Sequence, residues 1–327
     1  MVIREASHAG SWYTENGPLL SRQLDGWLGK VPSTIEGVGP IPQPGARVII
    51  APHAGYSYSG PAAAWAYKSL DLSNVKRVFL LGPSHHVHLS TCALSNCSAY
   101  VTPLGNLRLD AETIDELKET GKFNTMSIST DTDEHSLEMH LPYIHKILST
   151  KFSKPEDYPP LVPILVGSTS SAKEKEYGAI LAPYLVDPTS IFVVSSDFCH
   201  WGTRFSYTYY LPSLSASVDD GHHLRSKDKA PVNPMIHESI GRVDRMAMDA
   251  VESGSHDIFL GNLRETGNTV CGRHPIGVLM AALEVSRAEG KVGEGKGNFK
   301  FVRYERSSDC VKVSDSSVSY ASAFAVL

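Results

Sequence analysis

Three short apolar runs in this sequence end in histidine-bearing turns, and imidazole is the side chain best suited to bind transition metals or to move a proton near neutral pH. Arg47-Val48-Ile49-Ile50-Ala51 runs into Pro52-His53-Ala54-Gly55-Tyr56, and Arg77-Val78-Phe79-Leu80-Leu81 runs into Gly82-Pro83-Ser84-His85-His86. Ser190-Ile191-Phe192-Val193-Val194 runs into Ser195-Ser196-Asp197-Phe198-Cys199-His200. Runs of this length and composition read as buried strands, and open α/β sheets bind ligands beyond the carboxyl ends of their strands. Each histidine alone serves equally well as a buried group satisfying a turn. The repetition favours one crevice fed by three strands. His53 with His85 or His86 would supply two legs of a transition-metal site that needs a carboxylate or thiolate as the third.

Cys271 is the leading thiolate. It sits in Val270-Cys271-Gly272-Arg273-His274-Pro275, just ahead of a helix, where the positive end of the helix dipole and Arg273 are expected to lower its pKa. Asp197 and His200 read as an acid/base pair in which the carboxylate orients the imidazole. Asp197 as the third metal ligand is the alternative. His135-Ser136-Leu137-Glu138-Met139-His140 resembles the H-x-x-E-H zinc motif, with the last histidine one position late. On one helix that spacing turns His140 about 140° from His135, so the two do not chelate one ion, whereas His135 and Glu138 can meet. His86, His135, Glu138, His140 and Arg273 are expected to line the pocket, with capping and salt bridges as the ordinary alternative for the 135–140 segment. Ser84 and Ser195 lie in no nucleophile elbow, and no P-loop or H-E-x-x-H occurs. The GxGxG within Gly290–Asn298 follows a helix and precedes a strand, the wrong context for a dinucleotide loop.

The elements that position these residues alternate. Helices are expected over 61–70, over 111–120 with Asp110 as N-cap and Gly121 past the end, and from about Pro275 to near Gly290. Leu161–Val166 reads as a further strand in which Pro163 suggests an edge position or a bulge, and late strands are expected at Phe299–Tyr304 and Val318–Val326. The alternation predicts an α/β fold: a single layered domain over 1–327 with a mainly parallel or mixed central sheet. Pro212–Pro234, rich in Ser, Asp, His, Lys and Pro, reads as a mobile surface loop carrying a solvated His222-His223 pair.

Composition narrows the class. The 327 residues are 42% hydrophobic and 20% charged, which excludes disorder, coiled coil and collagen. Thirty Lys plus Arg against 35 Asp plus Glu give a net charge of -5, which argues against nucleic acid or an anionic membrane surface as partner. The first residues lack a secretory pattern, and no apolar run approaches the roughly 18 residues of a membrane span. The five cysteines, without CxxC spacing, fit a reducing compartment. A cytosolic location is expected, with the nucleus also open.

Six stretches together resemble the Memo family, the mediators of ErbB2-driven cell motility: Arg4 to Tyr13, Ala51 to Tyr56, Leu81 to His86, Asp133 to Tyr143, Ser195 to Gly202 and Cys271 to Gly277. The resemblance runs in order along nearly the whole chain. It implies a fold similar to class III, non-haem-iron extradiol dioxygenases of the protocatechuate type, which hold Fe(II) with two histidines and a carboxylate. Memo proteins have two histidines and a cysteine there, which implies His53, His85 and Cys271 as metal ligands and chooses His85 over His86. His200 falls where the dioxygenases place their acid/base histidine. A thiolate in place of the carboxylate softens the site, argues against ring cleavage and favours redox handling of iron or copper. The family also implies roles in redox homeostasis and in cytoskeletal and motility signalling, with O2 or reactive oxygen species as small-molecule partners. Docking of a phosphotyrosine peptide near the pocket is implied as well, and a non-catalytic adaptor with a vestigial dioxygenase pocket is the alternative to an enzyme.

Overall fold

A strand that is apolar on both faces must be covered on both, which is the condition of parallel sheets. In the computed structural model, which describes residues 2–327, four such strands form the centre of the molecule. The central sheet comprises β1 (Ala46–Ala51), β2 (Arg77–Pro83), β3 (Cys92–Leu94), β4 (Asn124–Thr125), β5 (Leu161–Val166), β6 (Ser190–Ser195), β7 (His200–Trp201), β8 (Phe299–Arg306) and β9 (Ser317–Val326). Strands β1, β6, β2 and β5 are neighbours in that order and all run parallel. Antiparallel strands complete the sheet: β3 on β5 at one side, and β9 on β1 at the other, with β8 along the far edge of β9. The sheet is therefore mixed, as the sequence predicts.

The helices are α1 (Gly17–Lys30), α2 (Tyr56–Ser69), α3 (Ala111–Glu119), α4 (Ile128–Asp133), α5 (His135–Glu138), α6 (Leu141–Ser149), α7 (Ser171–Val186), α8 (Ile236–Glu252), α9 (His256–Thr266) and α10 (Arg273–Ala288). Helix α2 packs on β1, β8 and β9 and is backed by α1 and α6, while α7 and α10 pack on each other and on β6. The α7–α10 contact is close: a Cβ on Gly178 would lie 2.7 Å from Ala281 Cβ. Helix α3 starts as expected, with the Asp110 carboxylate accepting from Thr113 N at 3.1 Å, and Gly121 past its end takes φ +67°.

Some boundaries move. Helix α2 begins five residues before Pro61, because Tyr56 is buried, its N–H bonds Trp12 O at 3.0 Å and its hydroxyl bonds Met139 O at 2.7 Å. These tertiary contacts fix a turn that proline statistics assign to the loop. Strand β5 is internal: β3 pairs with Ile164–Val166, Leu109 bridges Leu161, and Pro163 falls between the two contacts. Within 212–234 the structure places one 3-10 turn, Val218–Asp220, and one short strand. His222–His223 pairs antiparallel with Tyr209–Tyr210, and Leu224 is buried. His223 packs edge-on against Tyr207 and Tyr209, so the aromatic residues just upstream hold a segment whose own composition reads as loop, and the histidine pair is strand with exposed rings. All five cysteines are free. Among the described residues no helix is long and apolar enough to cross a membrane.

Because Gly178 leaves no room for a side chain, Gly178→Val should overpack the α7–α10 contact. We expect a loss of about 1–3 kcal/mol, read as a lower urea midpoint at unchanged m value; an unchanged midpoint would show that the helices can separate at no cost.

Candidate metal centre

Parallel pairing sets Ala51 opposite Ser195, Val194 opposite Leu81 and Pro83 opposite Val166. The strand ends are thus side by side at roughly 4.8 Å spacing, and His53, Asp197 and His85, each two residues past an end, emerge together. The His53 and His85 ring centroids are 5.2 Å apart. Two glycines let further elements press against this edge. A Cβ on Gly272 would lie 2.3 Å from Ser195 O, so only glycine lets the start of α10 reach the end of β6. A Cβ on Gly82 would lie 2.6 Å from Ser136 Oγ, so α5 rests directly on β2 and brings His135 to 4.3 Å from the His85 ring.

The hydrogen bonds around the imidazoles fix which nitrogen carries the proton. The Ser195 hydroxyl gives its one proton to Ser136 O at 2.7 Å, so at 2.6 Å from His53 Nδ1 it can only accept. His53 is therefore the Nδ1–H tautomer, with its Nε2 lone pair free. His85 Nδ1 donates to Glu134 Oε1 at 2.9 Å. His200 Nδ1 donates to Phe198 O at 2.9 Å, with Thr269 O at 3.2 Å. Metal-binding histidines are oriented in this way, one ring N–H held by a carboxylate or carbonyl and the other nitrogen left as ligand.

Cys271 Sγ lies 3.3 Å from His53 Nε2, close to the roughly 3.5 Å that nitrogen and sulfur ligands keep around one ion. The ligand atoms of His53, Asp197 and Cys271 lie within 4.8 Å of one another, as do those of His53, His85 and His135. His53 belongs to both groups, and His85 and Cys271 flank it from different ones. These donors suit a transition metal, and the free Nε2 lone pairs are what such an ion would take. Asp197 stays in reach as a ligand: its Oδ1 accepts from His53 N at 2.9 Å and its Oδ2 is 4.0 Å from His53 Nε2. His135, which the motif places only on the pocket wall, stands at ligand distance.

Charge is kept low inside. Burial, then the neighbouring imidazoles, hold His53 well below its usual pKa, and burial with His85 lowers His135 to about 3. Burial raises Asp197 against the pull of His200. The expectation for Cys271 is reversed. Burial, then the adjacent Asp197, raise its thiol well above the ordinary value, and these outweigh the end of α10. The Arg273 side chain gives no hydrogen bond to the thiol, and its buried Nε has no partner. The thiol instead donates to Asp197 O at 3.4 Å. A cation would have to replace that proton.

Around this centre sits a ring of ionised groups. Burial alone would raise Glu134, but bonds from His85 Nδ1, His85 N and Ser136 N hold it at about 2. Glu138 does not line the pocket. It is fully buried, accepts from Arg4 Nη1 at 2.8 Å, Tyr13 Oη at 2.8 Å and His8 Nδ1 at 2.9 Å, and is held at about 2 against its burial. Arg4 also donates to the carbonyls of Asp131, Thr132 and Glu134. This knot anchors the N-terminal segment and sets the Trp12 ring 4.5 Å from His135. His140 does not line the pocket either: α5 spans four residues, and the buried His140 caps α6 with its Nδ1 2.7 Å from Tyr67 Oη. Behind Trp12 a cavity of about 420 Å³ opens between Tyr13, Trp27 and Tyr56, with no histidine on its walls. Ser195, Glu134 and Thr269 orient the imidazoles; Ser195 and Glu134 lie inside stretches that the sequence singles out but without a role read for them, and Thr269 lies outside all of them.

Parallel strands whose carboxyl ends gather imidazoles, a carboxylate and a thiol define an α/β protein with a pocket able to hold a metal ion. The sequence model for Memo-like protein matches residues 4–324. Protein MEMO1 of Danio rerio is 48% identical over 321 residues, covering 98% of this chain and 96% of its own length. Protein MEMO1 of Homo sapiens is 47% identical with the same coverage, and a MEMO1 family protein of Schizosaccharomyces pombe is 38% identical over 99% of both chains. The chain belongs to the Memo family. An uncharacterized Escherichia coli K12 protein of known structure aligns over 84% of this chain and 99% of its own at 12% identity, with a TM-score of 0.42.

The Glu138 knot makes a prediction about acid stability. Its folded pKa of about 2 lies below the ordinary glutamate value of 4.5, so the stability it supplies is complete above about pH 4.5 and lost as pH falls towards 2. Glu138→Gln should cost on the order of 3 kcal/mol at pH 7, with the gap to wild type narrowing between pH 4.5 and 2 in urea unfolding. A gap that does not change with pH would contradict the assignment.

Proposed function

We propose that this chain is a cytosolic, one-domain metal-dependent redox protein in which iron or copper is held by His53, His85 and Cys271. The observation that carries the reading is the thiol 3.3 Å from a His53 Nε2 whose lone pair is freed by the Ser195 contact. A bound metal would supply one-electron chemistry towards O2 or reactive oxygen species. The chain's own groups would do the rest. Asp197 holds the His53 backbone in place. His200, with Nδ1–H committed to carbonyls, offers Nε2 to take or give a proton beside the pocket. The soft thiolate favours redox handling over extradiol ring cleavage. With that reading go the roles in redox homeostasis and cytoskeletal signalling that the family resemblance implies.

Cys271→Ser tests it. Serine is a poor ligand for soft metals, so untagged wild-type protein should carry near-stoichiometric iron or copper by elemental analysis and the variant should lose most of it at an unchanged circular dichroism spectrum. Equal metal in both proteins would overturn the ligand assignment. No metal in either, and no uptake on titration, would leave a pocket for an adaptor that binds peptide without turnover.

A further inference from the structure

His86, Glu134 and His135 form a third group whose ligand atoms lie within 4.8 Å of one another. His135 belongs to this group and also to the one it makes with His53 and His85. Unlike His53, His85 and His200, neither His86 nor His135 has its ring held by a protein hydrogen bond; His135 Nδ1 lies 3.6 Å from Glu134 Oε1, beyond hydrogen-bond reach. The His86 and His135 rings stand edge to face at 5.7 Å. His53 and Glu134 are buried, His135 and Cys271 intermediate, and His85 and His86 exposed, so the shared His135 stands between the exposed His86 and the buried His53. The groups therefore form a path from solvent to the thiol.

We propose that His86, Glu134 and His135 form an outer transition-metal site at the pocket mouth, from which an ion passes inward by exchanging ligands on the shared His135. Two imidazoles and a carboxylate take borderline divalent ions such as Zn2+, Co2+ or Fe2+. Glu134 keeps a lone pair on Oε2 for the purpose, since its bonds from His85 Nδ1 and Ser136 N fill Oε1 and only His85 N takes Oε2. The outer site is the weaker one because it lacks a thiolate, so the gradient of affinity points inward. No electron moves. The ion displaces the Cys271 thiol proton when it reaches the sulfur. The proposal extends the reading of the inner centre but does not depend on which metal is native.

Titration of metal-free protein with Co2+, followed by visible and near-ultraviolet absorption, separates the two. Wild type should bind two equivalents, the tighter with a thiolate-to-cobalt charge-transfer band and the weaker without. His86→Ala, an exposed change, should bind one equivalent, keep the band and load several-fold more slowly. Cys271→Ser should lose the band and keep a weak equivalent that the double variant lacks. A single equivalent with the band in wild type would overturn the outer site and leave the inner reading standing, as would a His86→Ala protein with unchanged stoichiometry and loading. Weak binding that is lost in His86→Ala, with no band in wild type, would uphold the outer site and count against the inner thiolate.

Discussion

The Ser195 hydroxyl is the contact on which the pocket depends. It donates to Ser136 O and accepts from His53 Nδ1, so one oxygen joins the end of β6, the turn after β1 and the short α5. A buried hydrogen bond of this kind contributes only about 1 kcal/mol to stability. Its larger consequence is chemical, because it decides that the His53 lone pair lies on Nε2, beside Cys271. The glycines at 82 and 272 make the contact possible by letting α5 and the start of α10 touch the strand ends.

Buried charge in the surroundings is paired and buried charge in the centre is avoided. Arg4 and Glu138 face each other at 2.8 Å with their side chains fully buried, and Glu134 is ionised among three donors. By contrast, burial keeps the His53 and His135 imidazoles unprotonated and the Cys271 thiol protonated. Such a centre presents lone pairs without the cost of an isolated charge, which is the state that receives a cation. The ionised ring also fixes position: Glu134 orients His85, and the Arg4–Glu138 knot holds Trp12 against His135.

Much of this was legible in the sequence, and what was not has a common cause. The strand runs before His53, His85 and Asp197 are local signals, and parallel pairing converts three local signals into one site. Partners distant in the chain leave no such trace. Ser195 lies 142 positions from His53, and Glu134 lies 49 from His85. Around Cys271 only a helix start and Arg273 are visible locally, while the groups that dominate it, Asp197 and the surrounding protein, arrive only on folding. The spacing of His135 and His140 presumed one helix, but the chain breaks after Glu138, which turns His135 into the pocket's edge and His140 into its backing. The 212–234 segment is irregular over most of its length, and the partner of its one short strand, Tyr209–Tyr210, lies just outside it.

The central claim is that a metal in this pocket is bound by sulfur and imidazole together. X-ray absorption at the metal edge, on protein carrying the iron or copper with which it purifies, measures this directly. The account predicts one sulfur scatterer at about 2.3 Å together with the multiple-scattering pattern of imidazole. A shell of nitrogen and oxygen alone would contradict it.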